Sequence, residues 1–295
     1  MTVRQGFSRD PLAKYEMPVV FGPTEIPEVS VWNRVTMVSV SFVTTFDAAR
    51  PLVPAALEIP ERPVVTVSRM SYAGVDYLAG RGYNEVTVGI TATHELDGGR
   101  QRGSFMPVVW VDEFRPIIIG REYMGYAKLG AQFGPVIPGP GSRSYELHEY
   151  GTRLLHGEIS GAVALEGDEL RAARQAASGV TVFGWKHIAG PQGTVDADYL
   201  TITRLQFDWT SVLRGRGQIL FDAPDWSSAP HSARIVRALG ALPVVEVRRG
   251  LVAVGSGSLD RAAVTRHDAQ RADGASGSGT AHSVSQAEGS LPHAP

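Results

Sequence analysis

The chain has no cysteine and very little lysine, and each shortage excludes something. Without cysteine there is no disulfide framework, no thiol nucleophile and no Cys-ligated metal. Only Lys14, Lys128 and Lys186 are lysines among the 28 basic residues. Arginine supplies the rest, and against 30 acidic residues the formal balance is -2. A near-neutral chain has no broad attraction for nucleic acid or an anionic membrane. No apolar run approaches the roughly 18–20 residues needed to cross a bilayer. The first residues, with Arg4, Arg9, Asp10 and Lys14, lack the apolar centre of a secretory signal. No dinucleotide fingerprint, P-loop, zinc spacing or internal repeat occurs. The expectation is a soluble, cytoplasmic protein whose 295 residues can bury a sizeable core.

What is present reads as strands. Val29–Val43 alternates in two phases, Val29, Val31, Val35 and Met37 on one face, then Val38, Val40 and Phe42. The change near Met37–Val38 predicts a bulge there. Segments 64–70, 85–93, 104–111, 180–188, 199–209, 217–222 and 243–254 are β-branched and aromatic, with Gly, Pro, Asp and Asn between them. Helical signals are confined to 47–57, interrupted by proline, and 229–239. The predicted class is α+β and mainly β: curled antiparallel sheets form a barrel-like cavity with a few short helices. Residues 1–16 read as an extended arm and 17–265 as a single domain. Residues 266–295 are Ala, Gly, Ser, His and Asp with too little apolar surface to offset chain entropy, so a disordered tail is expected. Phe105, Met106 and Trp226 are candidates for core or pocket, with core the default for large apolar side chains.

The segment 112–131, DEFRPIIIGREYMGYAKLGA, carries the candidate chemistry. Lys128 sits among Met124, Tyr126, Ala127, Leu129 and Ala131, with no acidic residue nearer in sequence than Glu122. If buried, a lysine loses the solvation that favours its ammonium, and the neutral amine can attack a carbonyl. The alternative is a lysine snorkelling from an apolar strand to solvent. Lys186 and His187 lie in a plain strand pattern and read as packing or surface groups. The Pro/Gly stretch 134–141, just after Lys128, is a candidate rim.

Here the chain resembles the acetoacetate decarboxylase family. The likeness begins with GRE followed two residues later by GYAK, and five other elements accompany it in order. VWNRVTMVSVSF, FDAARPLVPAALEI, GYNEV, FGWKHI and LPVVEV are similar to family segments from about residue 18 to 259. The resemblance implies that Lys128 forms a Schiff base and that Glu85 orients substrate or moves a proton. It implies that Arg34 meets the substrate carboxylate from within the cavity. Arg121, Glu122 and Tyr126 belong to the lysine motif and support it. A small keto-acid substrate, no metal or organic cofactor, and a symmetric homo-oligomer follow from the same resemblance.

Two departures stand out. The family's second lysine is Leu129 here, and a further active-site glutamate aligns with Ser68. Acetoacetate decarboxylase is itself the standard example of a lysine activated by desolvation or a neighbouring cation. With Leu129 in place, burial alone must activate Lys128. Three functions remain open. The first is decarboxylation of acetoacetate or a related β-keto acid through an imine on Lys128. The second is an aldolase-dehydratase using pyruvate-type acids through the same lysine, as implied by relatives that lack both features. The third is a non-catalytic barrel binding small carboxylates.

Overall fold

The computed structural model describes residues 7–96 and 98–268. Strand β1 spans Val29–Val43 and leads into a one-turn helix α1, Phe46–Ala49. Strands β2, Val64–Val75, β3, Tyr83–Leu96, and β4, Gly99–Val111, follow as an antiparallel meander. Helix α2, Phe114–Glu122, turns the chain into three short strands, β5 Lys128–Gly130, β6 Gln132–Phe133 and β7 Ile137–Gly139. The hairpin β8, Ser142–Glu149, and β9, Thr152–Ala164, precedes helix α3, Gly167–Ala177. Then come β10, Val180–Ala189, and β11, Val195–Phe221. The chain continues through helix α4, Ala233–Gly240, to β12, Glu246–Asp260, and β13, Thr265–His267.

All these strands belong to one sheet, in the order β10-β4-β3-β2-β1-β12-β11-β9-β8-β6, and β11 also pairs β10. That last pairing closes a seven-stranded ring. Among the described residues the pairings are antiparallel except β10–β4 and β4–β5. The mainly β, curled architecture is therefore as predicted, with one mixed sheet in place of separate antiparallel ones.

Alternation along β2 shows how the ring is filled. Val65 and Val67 point outward into a core with Phe42, Val88, Trp110, Val236 and Leu239, which α4 covers. Trp110 Nε1 donates to Ser232 Oγ at 3.0 Å just before that helix. Thr66, Ser68, Met70 and Tyr72 point inward. The outer face packs on the core while the inner face, with Thr66 and Ser68, lines a cavity, so the strand alternates between apolar and mixed residues.

Several expectations are corrected. The register breaks of β1 against β12 fall between Trp32 and Val35 and between Ser41 and Phe42, not at Met37–Val38. The apparent phase change there arises because Met37 faces inward while Val38 packs on the outer core. Segments 199–209 and 217–222 are parts of the single 27-residue β11, which the glycines at 215 and 217 do not interrupt. Helices α2 and α3 and the β8–β9 hairpin were outside the expected elements. Thr265–His267 pairs Leu200–Ile202, so ordered chain continues past residue 265. The rest of the expected tail, and the start of the arm, lie outside the described residues. Among the described residues no helix is long and apolar enough to cross a membrane.

Candidate active site

The ring encloses a cavity of about 660 Å³. Lys128 enters it from β5, and Glu85 from the neighbouring part of β3. They are only 8% and 7% exposed. Lys128 Nζ donates to Glu85 Oε2 at 3.1 Å, and Tyr72 OH donates to Glu85 Oε1 at 2.8 Å. Burial, then the Glu85 charge, pushes the Tyr72 phenol well above its usual range, so it stays a protonated donor. Tyr83 is raised by the same two causes in the same order. Its ring stacks on Tyr72 with centroids 4.6 Å apart, and Lys128 Nζ lies 5.9 Å from it.

The local sequence explains why a lysine fits here. Its stem crosses α2 at Gly120, where a Cβ would lie 2.5 Å from Lys128 Cδ and 2.8 Å from Cε. Any larger residue would push the amine aside. Arg121 Nη1 donates to the Lys128 carbonyl at 3.2 Å. Tyr126 N donates to the Gly120 carbonyl at 2.9 Å, and Lys128 N to the Tyr126 carbonyl at 2.8 Å. Between them Gly125, at φ 68°, lets the chain turn close under Lys186. GRE and GYAK are therefore two halves of one clamp on one lysine. Glu122 contributes through its carbonyl, which accepts from Lys186 Nζ.

A strip of hydroxyls runs from the lysine across the ring. Lys128 is opposite Val109, Val109 opposite Thr87, Thr87 opposite Ser68, and Ser68 opposite Ser39. Ser68 Oγ donates to Ser39 Oγ at 2.9 Å, and Ser41 and Thr66 share a hydrogen bond of 3.0 Å. Leu129 points the other way and packs against the outer core. A lysine at that position would not share the cavity with Lys128, as alternation along a strand dictates. Among the described residues no cluster of three or more His, Asp or Glu is arranged to hold a metal.

The sequence pattern of the family described as acetoacetate decarboxylase matches residues 16–261. The chain belongs to the acetoacetate decarboxylase family. No protein of curated function matches it by sequence. Solved structures share the family fold at low identity. An acetoacetate decarboxylase has a TM-score of 0.69 at 17% identity, over 86% of this chain and 95% of that one. An acetoacetate decarboxylase-like enzyme from Sphingomonas wittichii has a TM-score of 0.63 at 20% identity, over 87% and 98%. The enduracididine biosynthesis enzyme MppR, described in complex with the condensation product of pyruvate and imidazole 4-carboxaldehyde, has a TM-score of 0.62 at 17% identity. That match covers 88% of this chain and 97% of MppR.

Against the family expectation, the structure brings Lys128, Glu85, Ser68 and Tyr126 together on the cavity wall and leaves Arg34 out. The bulge between Trp32 and Val35 turns Asn33 and Arg34 outward together, and both are exposed. The arginines that do reach the cavity are Arg214, Arg249 and Arg261. Arg214 and Arg249 are exposed at one end, while Arg261 is tied to Ser30 and the Pro27 carbonyl. The 134–141 stretch forms β7 and its turn, and does not line the cavity. Met106 lines it, Phe105 packs in the outer core, and Trp226 is 72% exposed. Tyr72 was missed by reading motifs, although it is the second inward residue after Ser68 on a period of two.

Proposed function

We propose that this cavity is the active site of a Schiff-base-forming carbon–carbon lyase that decarboxylates a β-keto acid through Lys128. The single observation that carries the reading is the buried amine of Lys128 hydrogen-bonded to Glu85 on the cavity wall. Glu85 accepts the ammonium proton, and the neutral amine adds to the substrate ketone. A carbon–nitrogen bond forms, the ketone oxygen takes protons and leaves as water, and a protonated imine remains. The imine is the electron sink. When the bond to the carboxylate breaks, its electron pair moves toward nitrogen, carbon dioxide leaves and an enamine forms. Protonation of the enamine carbon and addition of water release the ketone and restore the amine. Glu85 is placed to carry these protons, and Tyr72 holds it in register.

One observation favours a second reading. Ser68 is a neutral hydroxyl bonded to Ser39 on the cavity wall, at the position to which the motif resemblance assigns a family glutamate. If that loss disables decarboxylation, the same imine formed from a pyruvate-type acid would lose a carbon-bound proton instead. The resulting enamine would add to an aldehyde and dehydrate, an aldolase-dehydratase reaction.

Borohydride tests both, because it reduces an imine to a stable secondary amine. Incubation with acetoacetate or pyruvate followed by borohydride should add mass at Lys128. Absence of any adduct with either acid would favour a non-catalytic carboxylate binder. Carbon dioxide released from acetoacetate, against condensation of pyruvate with an aldehyde, then separates the two enzymes.

A further inference from the structure

Most of the cavity lies beyond a small keto acid bound to Lys128. A three- or four-carbon acid displaces on the order of 100 Å³, the share of three or four waters. The cavity holds about 660 Å³, well within the range that accommodates drug-sized ligands. The surplus space has a definite chemistry at each end.

On one side of the lysine the wall is aromatic. Tyr83 stacks on Tyr72, and Tyr72 meets Trp32 at 5.0 Å between centroids. Trp32 lies 6.2 Å from Phe207 with the rings 18° from parallel, and Phe207 stacks on Trp209 at 4.9 Å. These five rings come from four strands, and all of them line the cavity. The series begins 5.9 Å from Lys128 Nζ. On the opposite side are the hydroxyls of Ser39 and Ser68, and beyond them the exposed Arg249, one pair along β1 opposite Ser41. Across the opening, α3 presents Ala172, Ala173, Ala176 and Ala177, whose small side chains keep the cavity wide.

A wall of rings at stacking distances is suited to a flat π-system, which it meets by offset or edge contacts. A carbonyl carbon bonded to Nζ lies one bond from the amine. A ring two or three bonds further along therefore reaches the Tyr83–Tyr72–Trp32 surface. The carboxylate would then turn to the hydroxyl side, toward the end of the cavity that Arg249 lines.

We infer that Lys128 takes keto acids bearing a planar aromatic group two or three bonds from the carbonyl, with the ring seated against Tyr83, Tyr72 and Trp32. This inference rests on the Schiff-base reading and narrows its substrate class. The test compares benzylpyruvate with pyruvate in borohydride trapping at Lys128. Half-maximal trapping by benzylpyruvate is expected at a concentration lower by about tenfold or more, as burial and stacking of one ring would give. In Trp32→Leu, which stays apolar and removes a stacking face, the ratio between the two acids should fall to about threefold or less in protein whose circular dichroism is native-like. Trapping by pyruvate without any preference for benzylpyruvate overturns the inference and leaves the Schiff-base reading intact. A preference undiminished in folded Trp32→Leu overturns the assigned seat. Failure of both acids, with acetoacetate failing to trap as well, removes the Schiff-base reading itself.

Discussion

Lys128 Nζ and Glu85 Oε2 stand 3.1 Å apart inside the ring, and neither side chain is more than one-tenth exposed. A buried pair of this kind is costly to break from one side, because the remaining charge is left without a partner or water. The pair therefore couples chemistry to stability. Glu85→Gln should slow turnover by roughly 10²–10⁴-fold, the usual worth of a positioned proton carrier. It should also destabilise the fold by about 3–5 kcal/mol. Steady-state rates beside chemical denaturation check both, and unchanged turnover in a folded variant would remove Glu85 from the mechanism.

Gly120 is expected to matter only through Lys128. Its missing Cβ is the space the lysine stem occupies, at 2.5 Å from Cδ. Gly120→Ala should cost about 1–3 kcal/mol from overpacking while displacing the amine. Borohydride trapping should drop steeply in protein whose circular dichroism is native-like. Wild-type trapping in that variant would show that the clamp is loose.

Arg34 gives the opposite expectation. Exposed on the bulge of β1, it lies outside the cavity wall. Arg34→Ala should leave the half-saturating keto-acid concentration unchanged within about twofold, as expected of a surface substitution away from the site. A rise of tenfold or more would place the side chain on the substrate carboxylate after all.

Buried phenols set a limit at alkaline pH. Burial raises Tyr126 and Tyr145, and burial with Glu85 raises Tyr72 and Tyr83. Tyr77 is pushed up to about 12, chiefly by burial. In the unfolded chain tyrosine ionises near pH 10, so above that pH the unfolded state loses protons that the folded state keeps. The stabilisation is complete below about pH 10 and is lost as pH rises through the folded-state values. The melting temperature should fall from about pH 10 upward in step with tyrosinate absorbance. A flat melting temperature across that range would show that these phenols are not buried in the folded protein.

Much of the site was legible in the chain. Lys128 stood out because lysine is scarce and its neighbours are apolar, and GRE–GYAK placed it in a family. The structure adds the reason for that spacing: Gly120 makes room and Arg121 holds the backbone. Other features were not legible. Three isoleucines ahead of Gly120 carry no helix signature, yet helix α2 forms there and packs beneath the lysine. The aromatic wall draws one ring or two from each of four strands far apart in sequence. No local pattern brings Trp32, Tyr83 and Phe207 together; ring closure does.

The sequence by itself determined a mainly β chain, a single lysine in apolar surroundings, and membership of a family by ordered motifs. These follow from alternation and residue chemistry, which are local. Only the tertiary structure decided which side chains share the cavity. One inserted residue in β1 reverses the faces on either side of it, so Trp32 lines the cavity while Arg34, two positions on, meets solvent. Register is a property of paired strands, and a single strand read alone does not contain it.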